Sequence, residues 1–284
     1  MVRIKMAQRL VSILPDNIRN GLLNYYSRQR FESYMKNRLG NFYVHVESGP
    51  VGKEELIMRT SLMDEKDIPK KTDPNVYLSS GRGQMLLWMT VLERSGFNIR
   101  TAGAIMELGC GTARLIRHLR CIDGIRLVGT DAQPELIEWC TKNVPGIEFH
   151  NNNLEPPLKF TEDGTFDLVF AASVFTHIPI ETQNLWIKEM YRIIRHGGFL
   201  LCDIAGRSHQ ECQLSSEDRD VLKKNGVVVL TANNKGASLS TKIVGSWDIF
   251  QSRSNVLKAF RSFFIVIDYI PSHLDILVLQ KPLK

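Results

Sequence analysis

The chain has no long apolar run: its longest, such as Leu168–Phe175 and Phe263–Ile267, fall far short of the roughly 18 residues that a bilayer-crossing helix needs. No membrane span is expected. Cysteine is sparse, and Cys110, Cys121, Cys140, Cys202 and Cys212 are five in number with no CxxC pair. That argues against a disulfide framework and against a zinc site, and it points to a reducing cytosol. Met1–Pro15 alternates Arg3, Lys5 and Arg9 with apolar residues and so offers no continuous signal-peptide core. The expected location is cytoplasmic. Low-complexity tracts are also lacking. What is present, 43% hydrophobic and 23% charged residues over 284 positions, is enough for about two domains of roughly 150 residues, or one domain with an extension.

The body of the chain lacks a charge surplus. Residues 1–40 hold eight of the 36 Lys and Arg but only Asp16 and Glu32 of the 30 acidic residues, leaving 28 of each sign elsewhere. A neutral body argues against a nucleic-acid surface. A basic arm fits a local contact with a peripheral membrane or an anionic partner, dimerisation, or plain packing on the body. The arm's apolar spacing predicts helix, with Ile4, Leu10, Val11 and Leu14 before Pro15, then Ile18, Leu22, Tyr25, Tyr26, Phe31, Tyr34 and Met35. Residues 46–75, with Ser48-Gly49-Pro50, Pro69 and Asp73-Pro74, read as a linker or irregular cap. The expected units are therefore 1–75 and 76–284, with helical spacing resuming at Met85, Leu86, Met89 and Leu92 and ending at Gly96.

From residue 103 short β-branched runs alternate with helical stretches, as in parallel βαβ units. The pattern predicts strands at Ala104–Leu108, Arg126–Thr130, Ile147–His150, Phe166–Ala171 and Phe199–Ile204, with helices at Thr112–Cys121, Pro134–Asn143 and Glu181–Arg195. Phe264–Tyr269 and Asp275–Gln280 are joined by so short a connection that they form a hairpin, which reverses the last strand. The excursion at residues 206–255 far exceeds a usual connection of about 2–6 residues and reads as a substrate lid.

Met106-Glu107-Leu108-Gly109-Cys110-Gly111-Thr112-Ala113-Arg114 leaves a predicted strand and opens a predicted helix. The glycines allow a tight turn and close ligand approach. Asp131, twenty residues beyond Gly111 and at the end of the next strand, is placed to accept bonds from two ribose hydroxyls. Arg114 stands where a dinucleotide fingerprint needs a small residue. Glu107 would repel a pyrophosphate and suit a cationic ammonium or sulfonium.

On these residues the chain resembles the class I S-adenosylmethionine-dependent methyltransferases of the small-molecule or sugar-modifying kind, over residues 77–281. Ala113 replaces the common third glycine, and Phe166–Ile178 and Arg195-His196-Gly197-Gly198-Phe199 are similar to the family's fourth-strand motif and fifth-strand turn. The resemblance implies an α/β, Rossmann-like, seven-stranded, mostly parallel sheet with an antiparallel last strand, helices on both faces and an N-terminal helical extension. It implies S-adenosylmethionine as cofactor and no metal. The backbone of Gly109, Cys110 and Gly111, with Glu107 beside it, would hold the methionine part, Cys110 being itself a small spacer. Asp131 would hold the ribose, Ala132 would lie under the adenine, Asn153 and Leu154 would face it, and Ala172 would line the same pocket. Tyr77 and Arg82 would fold across the cofactor, Arg82 pairing with its carboxylate or else forming a surface ion pair.

Methyl transfer needs an aligned nucleophile and, for a hydroxyl, a base. His177, just past the fourth strand, is the candidate base or substrate contact, with helix capping as the plainer reading. His196, at the far end of the sheet, belongs to a turn. Asp203 and His209 near the end of strand five, and Trp247 and Asp248 in the excursion, are candidate acceptor contacts. The leading expectation is O-methylation of a sugar, glycan or natural product. The alternatives are a nucleic-acid or protein methyltransferase, a binding protein without turnover, and a polyamine synthase or dehydrogenase on the same sheet.

Overall fold

The computed structural model describes residues 16–40, 74–231 and 247–284. The expectations for residues 1–15, for the linker up to residue 73 and for the lid segment 232–246 lie outside them. Helix α1, Asp16–Leu39, turns Phe31, Met35 and Leu39 inward against Trp88, Met89 and Leu92 of helix α2, Pro74–Arg94. Asn24 bonds Asn75, whereas Tyr34 and Arg38 reach Glu93, so the two helices run parallel. Tyr77 and Arg82 thus stand on α2, and the expected boundary at 75/76 falls within its first turn.

All seven expected strands form one sheet: β1 Ala104–Leu108, β2 Arg126–Asp131, β3 Glu148–Asn151, β4 Phe166–Ala171, β5 Ile194–Ala205, β8 Ile265–Ile270 and β9 Leu274–Gln280. Their order is β3-β2-β1-β4-β5-β9-β8, and only β9 is reversed. Central strands are buried on both faces because their side chains alternate between two cores. Ile105 joins α1, α2 and helix α3, Pro134–Asn143, on one face. Ala104, Met106 and Leu108 join helices α4, Ile180–Ile193, and α7, Arg253–Arg261, on the other. The strand order reverses between β1 and β4, and crevices at the carboxyl ends of such a pair are where α/β sheets receive ligands.

Three local expectations are corrected. The α-helix expected over Thr112–Cys121 is a run of turns followed by a 3-10 helix, Ile116–Cys121. β5 starts earlier than Phe199, because its pairing with β4 resumes across an irregularity between Phe166 and Leu168. The excursion carries its own structure: helices α5, Arg207–Gln213, and α6, Ser216–Asn225, then a ribbon of β6, Val227–Thr231, and β7, Trp247–Gln251. It ends sooner than expected, since α7 begins at Arg253.

At the amino ends of the strands Asp167 accepts the Gly103 and Ala104 N–H groups at 2.7 and 2.9 Å and pairs with Arg195. Asp167→Ala strands these donors, which costs about 1–3 kcal/mol. Calorimetric melting should show a drop of about 2–4 °C per kcal/mol with cofactor affinity intact; an unchanged Tm would contradict this role.

Candidate active site

The site begins where β1 ends. Cys110 N–H donates to the Thr130 carbonyl at 2.9 Å, and Gly111 N–H donates to Asp131 Oδ2 at 2.9 Å. Gly109 and Gly111 have φ of +68° and +53°, a region that side chains disfavour. A Cβ on Gly109 would fall 2.5 Å from Val174 Cγ2, whereas one on Gly111 would meet nothing within 4 Å. The loop is thus packed shut on one side and open on the other.

Side chains explain why no α-helix follows. Ala113 also has positive φ, +57°. Ile116 N–H donates to Glu107 Oε2 at 3.0 Å instead of to a helical carbonyl. The Arg117 guanidinium occupies the carbonyls of Ala113 and Thr112 at 3.0 and 2.8 Å. The expected helix N-terminus is therefore replaced by turns whose backbone is held from behind. Tyr77 seals that rear, its hydroxyl 2.5 Å from Thr112 Oγ1.

This geometry changes the part played by Glu107. It is 2% exposed, and desolvation pushes its carboxyl up to about 8, with the Ile116 N–H and Arg114 countering. Its Oε2 accepts the Ile116 N–H and so braces the loop from behind. Cys110 likewise turns its side chain inward, near Gly129, and burial raises its thiol strongly. Arg82 is redirected too: its guanidinium lies on α1, at Asn24 O and Ser27 Oγ, 3.2 and 3.3 Å away. Burial and then repulsion from Arg28 lower it to about 10. The N-terminal helix supplies the contact that had been expected from a cofactor carboxylate.

Asp131 is also raised, by desolvation, and held back by the N–H groups of Gly111, Gln133 and Ala132. Its oxygens accept Gly111 and Gln133 N–H at 2.9 and 3.0 Å, leaving lone pairs on both for two vicinal hydroxyls. Asn152 N–H, 3.0 Å from Asp131 O, brings the Asn153 and Leu154 turn beside it, with Leu154 exposed. Ala132 and Ala172, both half-buried, end β2 and β4 on either side of the loop. The open Gly111, the carboxylate and the exposed apolar edge fit an adenosyl group.

A second cluster lies past β4. Asp203, buried in β5, accepts Ser173 N–H at 2.5 Å, which holds Ser173 at φ +56°. Desolvation raises Asp203 to about 6 against the Ser173 N–H, Arg114 and His177. The following turn presents His177, whose Nδ1 is 3.0 Å from Trp247 O and 3.1 Å from Asp248 Oδ1. Trp247 and Asp248 thus meet His177 through β7. His209 lies elsewhere on the excursion: its Nδ1 is 3.0 Å from His273 Nε2, and its ring stacks on Phe250. His196 caps a turn, its Nδ1 2.9 Å from Pro282 O, as its position implied. Sequence reasoning missed the Tyr77–Thr112 contact and the left-handed Ser173; a lone Asp203 within the apolar run Phe199–Ala205 was the available signal for the latter.

Residues 105–198 match the family model of a methyltransferase domain. Over this segment the chain is similar to a methyltransferase domain. A demethylmenaquinone methyltransferase of Chlorobaculum parvum is 30% identical over 94 residues, which is 33% of this chain and 37% of that relative. The chain therefore matches little more than a third of that relative's length. A solved protein of Pyrococcus horikoshii OT3 superposes with a TM-score of 0.51 at 16% identity, over 81% of this chain and 99% of its own, a likeness of fold. Within the matched residues lie the glycine loop, Asp131 and His177; β7, α7 and the β8–β9 hairpin lie beyond them.

Because the Glu107 carboxyl is raised in the fold, its protonated form stabilises the domain fully below about pH 4.5, and that stability is lost as pH rises through about 8. Glu107→Gln keeps an acceptor for Ile116 N–H without the titration. Urea unfolding at about pH 5 and pH 8 should show the variant gaining on the native protein at the higher pH, by on the order of a few kcal/mol. Parallel pH dependence of the two proteins would contradict the assignment.

Proposed function

We propose that this protein is an S-adenosylmethionine-dependent methyltransferase whose acceptor is a hydroxyl of a small molecule such as a sugar, a glycan constituent or another natural product. The observation that carries the reading is the pairing of the Asp131–Gly111 cradle with His177 at the ends of adjacent parts of one sheet edge. When bound, the cofactor supplies a methyl group already activated by its sulfonium. The protein's own residues do the rest. Gly109, Cys110 and Gly111 offer backbone to the amino-acid part, Asp131 fixes the ribose, and Ala132, Asn153, Leu154 and Ala172 border the base. His177 takes the acceptor's proton, and Trp247 and Asp248 border the acceptor side.

Two further facts favour a small neutral acceptor. The chain outside residues 1–40 is charge-balanced, 28 against 28, which does not suit a polyanion. The Chlorobaculum parvum relative is named for demethylmenaquinone, itself a small molecule.

Calorimetric titration with S-adenosylhomocysteine tests the donor half: Asp131→Ala, which removes two charge-assisted contacts, should weaken binding by at least about tenfold. His177→Ala should keep that affinity and lower turnover on a hydroxyl acceptor panel by about 10²-fold. Native affinity in the first variant would remove the cradle. Native turnover in the second would remove the base. Binding with no methyl transfer to any acceptor would favour a binding protein instead.

A further inference from the structure

His177 and Asp248 are 71 positions apart in the chain, and the inserted ribbon brings them together in a fixed register. Ile249 N–H donates to the Thr176 carbonyl at 2.8 Å, and the Gln251 side-chain amide donates to Gln183 Oε1 at 2.9 Å. Gln183 in turn donates to the carbonyls of Phe175 and Ile178, both at 2.9 Å. These bonds clamp β7 to the Phe175–Ile178 turn on either side of His177, and His177 N–H closes that turn on Val174 O at 2.9 Å. The ring's place is therefore set by backbone, and its protonation by what faces Nδ1.

We propose that Asp248 is a positioning residue for methyl transfer: its carboxylate, delivered by the insertion beside the Trp247 carbonyl, orients His177 as the Nδ1–H tautomer with Nε2 as the site that takes the acceptor's proton, and stabilises the imidazolium that forms. The inference rests on the methyltransferase reading above. Both groups at Nδ1, the Trp247 carbonyl at 3.0 Å and the Asp248 carboxylate at 3.1 Å, can only accept, so Nδ1 carries the hydrogen. A neutral imidazole then has its lone pair on Nε2. The side chain of Asp248 is 20% exposed and that of His177 56% exposed, so the carboxylate is sheltered while the ring keeps access to the crevice and to water.

The step balances. The acceptor O–H bond breaks as its proton passes to Nε2, and the oxygen's pair forms the new O–CH3 bond. The S–CH3 pair returns to sulfur, giving a neutral thioether. The imidazolium, stabilised by Asp248, later gives its proton to water. Among the described residues Asp203 of β5 also acts on His177; Arg114 favours its charged form from a distance, and its oxygen accepts Ser173 N–H. Asp203 shapes the turn from below, and Asp248 acts on the ring directly. The device suits a hydroxyl acceptor, which must lose a proton for the transfer to proceed.

Asp248→Asn keeps size and leaves the ribbon's backbone bonds in place, but removes the charge. Nitrogen-15 NMR of the full chain without acceptor should show Nδ1–H in both proteins, because the Trp247 carbonyl remains, and an imidazole that loses its second proton at lower pH in the variant. Turnover should fall by about 10- to 100-fold with KM for the cofactor unchanged, and the acidic limb of the kcat profile should move to lower pH. Asp248→Glu should restore part of both. The double variant with His177→Ala should be no slower than His177→Ala alone. A native Nε2–H tautomer, or additive losses in the double variant, would overturn the proposal. Because the tautomer is read without turnover, failure of the methyl-transfer reading itself would appear separately, as loss of cofactor binding or of all transfer with the tautomer intact.

Discussion

The hydrogen bond from Ile116 N–H to the buried Glu107 carboxyl is the constraint on which the donor site depends. It removes the donor that would start a helix directly after Gly111, and the Arg117 guanidinium takes the matching Thr112 carbonyl while sharing that of Ala113. Freed from helical geometry, Gly109, Gly111 and Ala113 take positive φ and the loop folds back until Gly111 N–H meets Asp131. Burial favours the protonated form of Glu107 here, since a buried carboxylate without a partner charge is costly. Arg117, Tyr77 and Thr112 complete a rigid back wall, so the face left open to solvent is backbone and one carboxylate.

The turn that carries His177 is built on a different plan. β4 ends in a left-handed serine held by Asp203, and a ribbon inserted between β5 and α7 adds Asp248 and Trp247 to the turn that follows. The matched domain stops at residue 198. The glycine loop and Asp131 thus lie within the matched residues, and the groups that surround His177 come in part from outside them. On the proposed reading, such a division lets the acceptor pocket vary on a constant cradle.

The sheet was legible because its strands are short apolar, β-branched runs, and the short hairpin connection reverses the last one by geometry alone. Asp131 was legible from its spacing, since two parallel strands in register bring residues 111 and 131 together. Thr112–Cys121 was misread because Ala113, Arg114 and Leu115 favour helix locally, while the groups that forbid it are the side chains of Glu107 and Arg117. Arg82 was misassigned for a related reason: Asn24 and Ser27, more than fifty positions away, capture its guanidinium, and no local pattern announces that. His177 could be proposed from its place after β4, whereas its carboxylate partner lies across an insertion whose fold the sequence did not show.

A crystal structure with S-adenosylhomocysteine tests the cradle most directly. The account predicts both ribose hydroxyls within hydrogen-bonding distance of Asp131, the amino-acid part along Gly109–Gly111, and the sulfur facing the side on which His177 stands. A nucleoside seated away from Asp131, or a loop rebuilt into a helix with Glu107 turned toward the ligand, would contradict it.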